Sequence, residues 1–208
     1  AAELEQRSSQ IAQALIRAGV QPGDRVCALD KNHDALIALL FGCAKAGAVY
    51  TPVNWRLAPP ELAFVIDDAR APLVCVGEEF APAVSTITGG LAHAPQIVRW
   101  GEGPPGWPEW DAFLAGTPSD DPHRDVPPDA TAWQLYTSGT TGHPKGAELT
   151  QTNLLSTCAA GLIGFGGASA GDVALICMPL YHIGATGYAA VMLYAGCKLI
   201  VQREARPD

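Results

Sequence analysis

Charge is scarce in this sequence. Only 16% of its 208 residues are Asp, Glu, Lys or Arg, against 48% that are apolar. That balance excludes a disordered chain and predicts a well-buried globular core. Positive charge is the scarcer sign: 13 Lys and Arg stand against 21 Asp and Glu, for a formal net charge of −8. With a pI near 5.0, the chain is not expected to bind nucleic acid or an anionic membrane surface, since both select for basic patches. An acidic chain that binds an anion must supply positive potential locally.

Paired cysteine motifs are missing as well. Cys27, Cys43, Cys75, Cys158, Cys177 and Cys197 each lie inside an apolar segment, with no C-x-x-C pair among them. They read as small buried hydrophobes in a reducing compartment, not as disulfides or zinc ligands, and no metal-ligand spacing stands out. The first residues carry Glu3, Glu5 and Arg7, so an amphipathic helix is expected there and not a secretory signal; the cytoplasm is the expected compartment. Residues 173–197 contain no charged side chain, a length that could span a membrane. Pro179, His182, Gly184, Gly187 and Gly196 interrupt the run, which parses as strand, loop and buried helix, so no transmembrane segment is expected.

Two familiar nucleotide motifs are also lacking. Lys145 follows Pro144 and precedes Gly146, which breaks the Walker A spacing, and Gly164, Gly166 and Gly167 miss the G-x-G-x-x-G frame. What is present is the stretch Tyr136 to Thr150, YTSGTTGHPKGAELT. The apolar run from Ala132 to Tyr136 leads into it as a strand. Thr137, Ser138, Thr140 and Thr141 are then threaded between Gly139 and Gly142, followed by Pro144, Lys145 and Gly146. Glycines let a backbone bring its N–H groups close to an anion, hydroxyls add donors, and a lysine adds a mobile positive charge. A strand, such a loop, a short strand over Ala147–Leu149 and a helix capped by Thr150 form a layout suited to a polyphosphate nucleotide.

Elsewhere the pattern alternates. Helices are expected over Glu3–Ala18, His33–Ala46 and Pro59–Asp68, and strands over Arg25–Leu29, Ala48–Val53 and Leu73–Gly77. A helix and strand follow within Glu78–Val98. The strands are continuously apolar, which predicts a parallel sheet covered by helices on both faces. Gly101 to Pro128 is rich in proline and reads as a surface excursion joining lobes over roughly 1–100 and 130–208, with a short helix at Trp110–Leu114; a domain boundary there is the alternative. Gln151–Ile163 is expected as helix, Val173–Met178 as a buried strand, Gly184–Tyr194 as an apolar helix and Lys198–Gln202 as a last strand. His33 and His93 read as surface residues, and Asp67-Asp68 as a solvated helix end.

The loop resembles, almost residue for residue, the phosphate-binding signature of the adenylate-forming superfamily, which includes acyl-CoA synthetases and peptide-synthetase adenylation domains. Met178-Pro179-Leu180-Tyr181-His182-Ile183-Gly184 is similar to that family's P-L-x-H-x-x-G segment, and Ala46 to Asn54, AGAVYTPVN, to one of its early phrases. The resemblance covers essentially the whole chain and implies an α/β fold of mostly parallel sheets flanked by helices, the N-terminal part of the family's large domain. It implies that Thr137, Ser138, Gly139, Thr140, Thr141, Gly142, Lys145 and Gly146 meet ATP or AMP, Lys145 in a catalytic role. By the same resemblance His182 stands beside the acyl carboxylate and the forming adenylate, while Tyr181 and Gly184 shape the acyl side. The implied reaction joins a carboxylic acid, expected to be fatty, to ATP with Mg²⁺, and then to the thiol of CoA. Thr140, where peptide-synthetase domains tend to carry Ser, favours an acyl- or aryl-CoA ligase. The family's later motifs have no counterpart here, so the chain is expected to be a truncated part of an enzyme, inactive by itself. A non-catalytic nucleotide-binding module and a ligand-free fragment remain as alternatives.

Overall fold

Five short apolar runs set up a parallel sheet: β1 (Arg25–Leu29), β2 (Val49–Pro52), β3 (Leu73–Gly77), β4 (Gln96–Trp100) and β5 (Thr131–Thr137). In the computed structural model, which describes residues 2–137, 144–164 and 167–205, they pair in the order β4-β3-β1-β2-β5. A sixth strand, β6 (Lys145–Thr150), lies antiparallel on the β5 edge. β1 to β3 are buried along nearly their whole length, as strands covered on both faces must be.

The covering helices divide by the direction of their crossovers. α1 (Ala2–Arg17) and α2 (Asp34–Ala46) share one core with the short α5 (Trp110–Leu114). α3 (Pro59–Ala69) and α4 (Ala81–Ile87) share the other. The α1–α2 contact is tight because it passes through a glycine: a Cβ on Gly42 would stand 2.5 Å from Ile11 Cγ2. β1 leaves towards β2, whereas β3 leaves towards β4, so the chain diverges at the carboxyl ends of β1 and β3. Open α/β sheets bind ligands in such a crevice. Here the crevice is filled. Asp30 is buried against Gly77, where a Cβ would lie 2.2 Å from its Cγ.

The helix and strand expectations match element by element, with ends unchanged or shifted by at most two residues. The excursion over residues 101–128 carries α5 where expected. The strands after it do not form a sheet of their own: β5 and β6 complete the first sheet, and the second sheet is the parallel pair β7 (Val173–Ile176) and β8 (Lys198–Val201). α6 (Gln151–Gly164) precedes that pair and α7 (Ile183–Tyr194) connects it. At the start of α6, Thr150 Oγ1 accepts the Asn153 N–H at 3.2 Å, while Asn153 Oδ1 accepts the Thr150 N–H at 3.0 Å, a reciprocal cap.

One expectation is corrected. β7 is not buried on both faces but alternates: Ala174 and Ile176 point into the core, while Val173 and Leu175 stay 58% and 53% exposed. Ile163 on α6 is 85% exposed. Runs of apolar residues signal a covered strand only when both faces have neighbours, and this one has a neighbour on one. No helix among the described residues is long and apolar enough to cross a membrane.

Three predictions test the packing. Gly77→Ala forces Asp30 from its seat and lowers unfolding stability by about 2 kcal/mol in urea titration. Gly89→Ala, with nothing within 4 Å of its added methyl, shifts it by less than about 0.5 kcal/mol. The six cysteines are free, all buried except the half-buried Cys177, and burial pushes the Cys27 thiol up to about 12. A native thiol titration is therefore expected to show a single fast phase, which Cys177→Ser removes; a fast phase that survives contradicts the packing.

Candidate functional site at the carboxyl edge of the sheets

β5 runs parallel to β2, so its last residue, Thr137, emerges at the same sheet edge as the segments that follow β1 and β2. Antiparallel pairing then brings the far end of the loop back: Thr137 sits opposite Lys145, and Tyr136 opposite Gly146. Thr137 Oγ1 donates to the Lys145 carbonyl at 3.5 Å. Both side chains are exposed, and no carboxylate among the described residues pairs with the Lys145 ammonium. Ser138, Gly139, Thr140, Thr141 and Gly142 lie outside the described residues.

Under the hairpin runs a polar chain centred on the buried Gln134. Arg25 Nε donates to Gln134 Oε1 at 2.7 Å, Gln134 Nε2 donates to the Tyr136 hydroxyl at 3.1 Å, and that hydroxyl donates to Asp68 Oδ2 at 2.7 Å. Burial, and then the Asp68 carboxylate, pushes the Tyr136 phenol far above its usual range, so it remains a neutral donor. Gly146 is the residue that lets Gln134 lie there, since a Cβ would stand 2.3 Å from Gln134 Nε2. Asp68 is thus a hydrogen-bond acceptor and not simply a solvated helix end. Asp67 likewise accepts the Ala92 N–H at 3.0 Å and faces His93 Nδ1 at 3.3 Å, so His93 is tied down and not a free surface side chain. His33 is also corrected: its Nε2 lies 3.2 Å from Asp30 Oδ2 and its ring meets Trp100 edge-on.

The second group forms around the start of α7. His182 is the N-cap: its Nδ1 accepts the Gly184 N–H at 3.1 Å. An accepting Nδ1 carries no proton, so in neutral His182 the Nε2 is the N–H donor, and the ring is exposed. A Cβ on Gly184 would crowd His182 Nδ1 at 3.2 Å and Met178 Cε at 3.0 Å. Tyr181 packs edge-on to Trp55 with centroids 6.2 Å apart, and its hydroxyl accepts from Arg56 Nη1 at 2.6 Å. Arg56 in turn lies 3.9 Å over the Trp55 ring, a stacked guanidinium. The structure brings Thr137, Lys145 and Gly146 together, and separately Tyr181, His182 and Gly184. No hydrogen bond joins the two groups among the described residues.

Trp55, Arg56 and Asn32 were not legible as site residues from the sequence. The signal for the first two was their place directly after a strand, at the end of the phrase through Asn54, whose Oδ1 accepts the Arg56 N–H at 2.9 Å. Asn32 and Arg56 line a crevice of about 60 Å³ with Cys177 and Pro179. Larger hollows, of about 520 and 440 Å³, lie along α1. Tyr181→Phe, which removes only the hydroxyl, is expected to free Arg56 and cost about 1 kcal/mol or less in thermal unfolding. A larger loss would mean that the pair holds the fold and not the local site.

Known proteins supply the frame for this geometry. A fatty acid–[acyl-carrier-protein] ligase, ScoC of Streptomyces coeruleorubidus, is 38% identical over 97% of this chain and 38% of its own length. A feruloyl-CoA synthase of an Amycolatopsis species is 39% identical over 89% of the chain and 35% of its own. The ATP-bound crystal structure of MatB from Rhodopseudomonas palustris superposes with a TM-score of 0.85 at 30% identity, over the whole of this chain and 40% of that one. The chain thus spans well under half the length of each. A phosphate-type loop on a hairpin at the carboxyl edge, a histidine-capped helix facing the same edge, and a family profile for AMP-binding enzymes that matches residues 1–208 lead to one conclusion: the chain belongs to the AMP-binding enzyme family.

Proposed function

We propose that this chain is the N-terminal part of an ATP-dependent acid–thiol ligase that activates a carboxylic acid, preferentially a fatty acid, as its adenylate and passes the acyl group to CoA. The observation that carries this reading is the Thr137–Lys145 pairing, which closes the base of the hydroxyl-rich loop beside an ammonium with no carboxylate partner among the described residues. An unpaired ammonium and a row of donors fit the charge that builds on phosphate oxygens in the transition state.

In the first step a carboxylate oxygen attacks the α-phosphorus of ATP, a new P–O bond forms, and the bond to the bridging oxygen breaks to release pyrophosphate. Thr137, Lys145 and Gly146, with Ser138, Gly139, Thr140, Thr141 and Gly142, would hold the phosphates. Lys145 would neutralise developing charge. His182, its tautomer set by the Gly184 N–H, would present Nε2–H to the acyl carboxylate, and Tyr181 and Gly184 would border the acyl group. In the second step the thiolate sulfur attacks the acyl carbon and AMP leaves. Among the described residues no group of three His, Cys, Asp or Glu side chains could hold a metal ion. Mg²⁺, entering with the nucleotide, would supply positive charge that offsets the phosphates.

The relatives' names divide over the acid and over the thiol carrier, ferulic against fatty and CoA against acyl-carrier protein. They share a carboxylic acid and a thiol. Six free thiols support a reducing, cytoplasmic setting.

The test is ATP–pyrophosphate exchange by the complete polypeptide that carries this chain, over a panel of fatty and aromatic acids. Exchange that needs an acid, followed by AMP release with CoA, is the expected result; ATP binding without exchange on any acid leaves a nucleotide-binding module. Lys145→Ala is expected to cut exchange at least tenfold, roughly 1.4 kcal/mol of transition-state binding, with an unchanged melting temperature. A variant that melts early but is fully active per folded molecule overturns the phosphate role.

A further inference from the structure

Asn32, two residues beyond Asp30 at the exit of β1, is 3% exposed although it is polar and lies in a loop. Its bonds explain the burial. Nδ2 donates to the Met178 carbonyl at 2.8 Å and to the Gln202 carbonyl at 3.1 Å, and Oδ1 accepts the Leu180 N–H at 2.8 Å. Its own backbone N–H donates to the Arg203 carbonyl at 3.2 Å. All four partners follow β7 or β8. A single side chain on the first sheet therefore takes up the exits of both strands of the second.

The amide is suited to this task. Two carbonyls need donors and one N–H needs an acceptor, at the reach of a two-carbon side chain. Aspartate would turn a carboxylate towards two carbonyls, and an aliphatic side chain would leave three backbone groups without these partners.

The held segment is the one that carries Tyr181 and His182. Leu180 is gripped on both sides: its N–H by Asn32, and its carbonyl by the hydroxyl of Thr186, which is buried on α7. The His182 N–H returns to the Pro179 carbonyl at 3.0 Å, so the ring position follows from where Leu180 is pinned. Arg56 adds a side-chain tether at Tyr181.

We propose that Asn32 is a positioning residue for adenylate formation. Without touching substrate, it sets, through Leu180, where His182 Nε2 stands relative to the edge that carries Thr137 and Lys145. This inference rests on the proposed ligase reading and names a residue of that same site. It predicts a split effect. The acyl side loses its alignment, while the ATP side, built on the β5–β6 hairpin, keeps its own.

The experiment measures acid-dependent ATP–pyrophosphate exchange in the complete polypeptide for the wild type, Asn32→Asp and Thr186→Val. The expected result for Asn32→Asp is a kcat at least tenfold lower and a several-fold higher KM for the acid, with the KM for ATP within twofold of wild type. Thr186→Val, which releases Leu180 from its other side with little change of volume, is expected to show the same split more weakly. If Asn32→Asp does not fold, Thr186→Val decides alone. Unchanged constants in a folded variant, or acid and ATP KM values that rise together, overturn the inference and leave the ligase reading standing. A wild type that exchanges with no acid overturns both.

Discussion

Three consecutive residues at the exit of β1 hold the described structure together. Asp30 fills the space above Gly77 and accepts from the Lys31 N–H at 2.7 Å and from Arg203 Nη2 at 3.2 Å. Lys31 pairs with Glu79 at 2.8 Å and Glu204 at 3.2 Å, and Asn32 takes up the backbone beyond β7 and β8. A crevice that other open sheets leave for a ligand is here a joint between two sheets. Its bonds are directional, so they fix a geometry where apolar packing alone would allow sliding.

That joint has a consequence for the site. The strands that flank the hydroxyl-rich loop, β5 and β6, belong to the first sheet and the His182 segment to the second. Each is held by its own bonds: the two strands by the Thr137–Lys145 pairing over the Gln134 chain, the His182 segment by its cap and the grip on Leu180. Their mutual placement passes through the exit of β1, through the apolar core that Ile176, Leu180, Ala185 and Ala189 share with α1, α2 and β5, and through Arg56 and Tyr181. The outer face of β7, with Val173 and Leu175, stays exposed.

Local pattern carried far. β3 at Leu73–Gly77 and α5 at Trp110–Leu114 fall where their apolar runs and turn residues put them, and the parallel order follows from strands with no polar face. Thr150 as a cap was readable because the capping partner, Asn153, is three residues away. Local pattern failed where burial depends on remote neighbours: β7 reads as a covered strand but has one bare face, and His33, read as a surface residue, packs on Trp100 and faces Asp30. Gly146, read for its place in a loop motif, also makes room for Gln134.

The sequence by itself determined the element types, the α/β class and the loop and histidine segments that resemble the adenylate-forming family, because hydrophobic period, turn chemistry and motif spacing are written within a few residues of each other. The tertiary structure alone decided that β5 and β6 join the first sheet, that Arg56 reaches Tyr181, and that Asn32 holds a loop 146 residues further along the chain. Such contacts depend on two sheets meeting, and a hydrogen bond between residues that distant leaves no periodicity in the sequence from which it could be read.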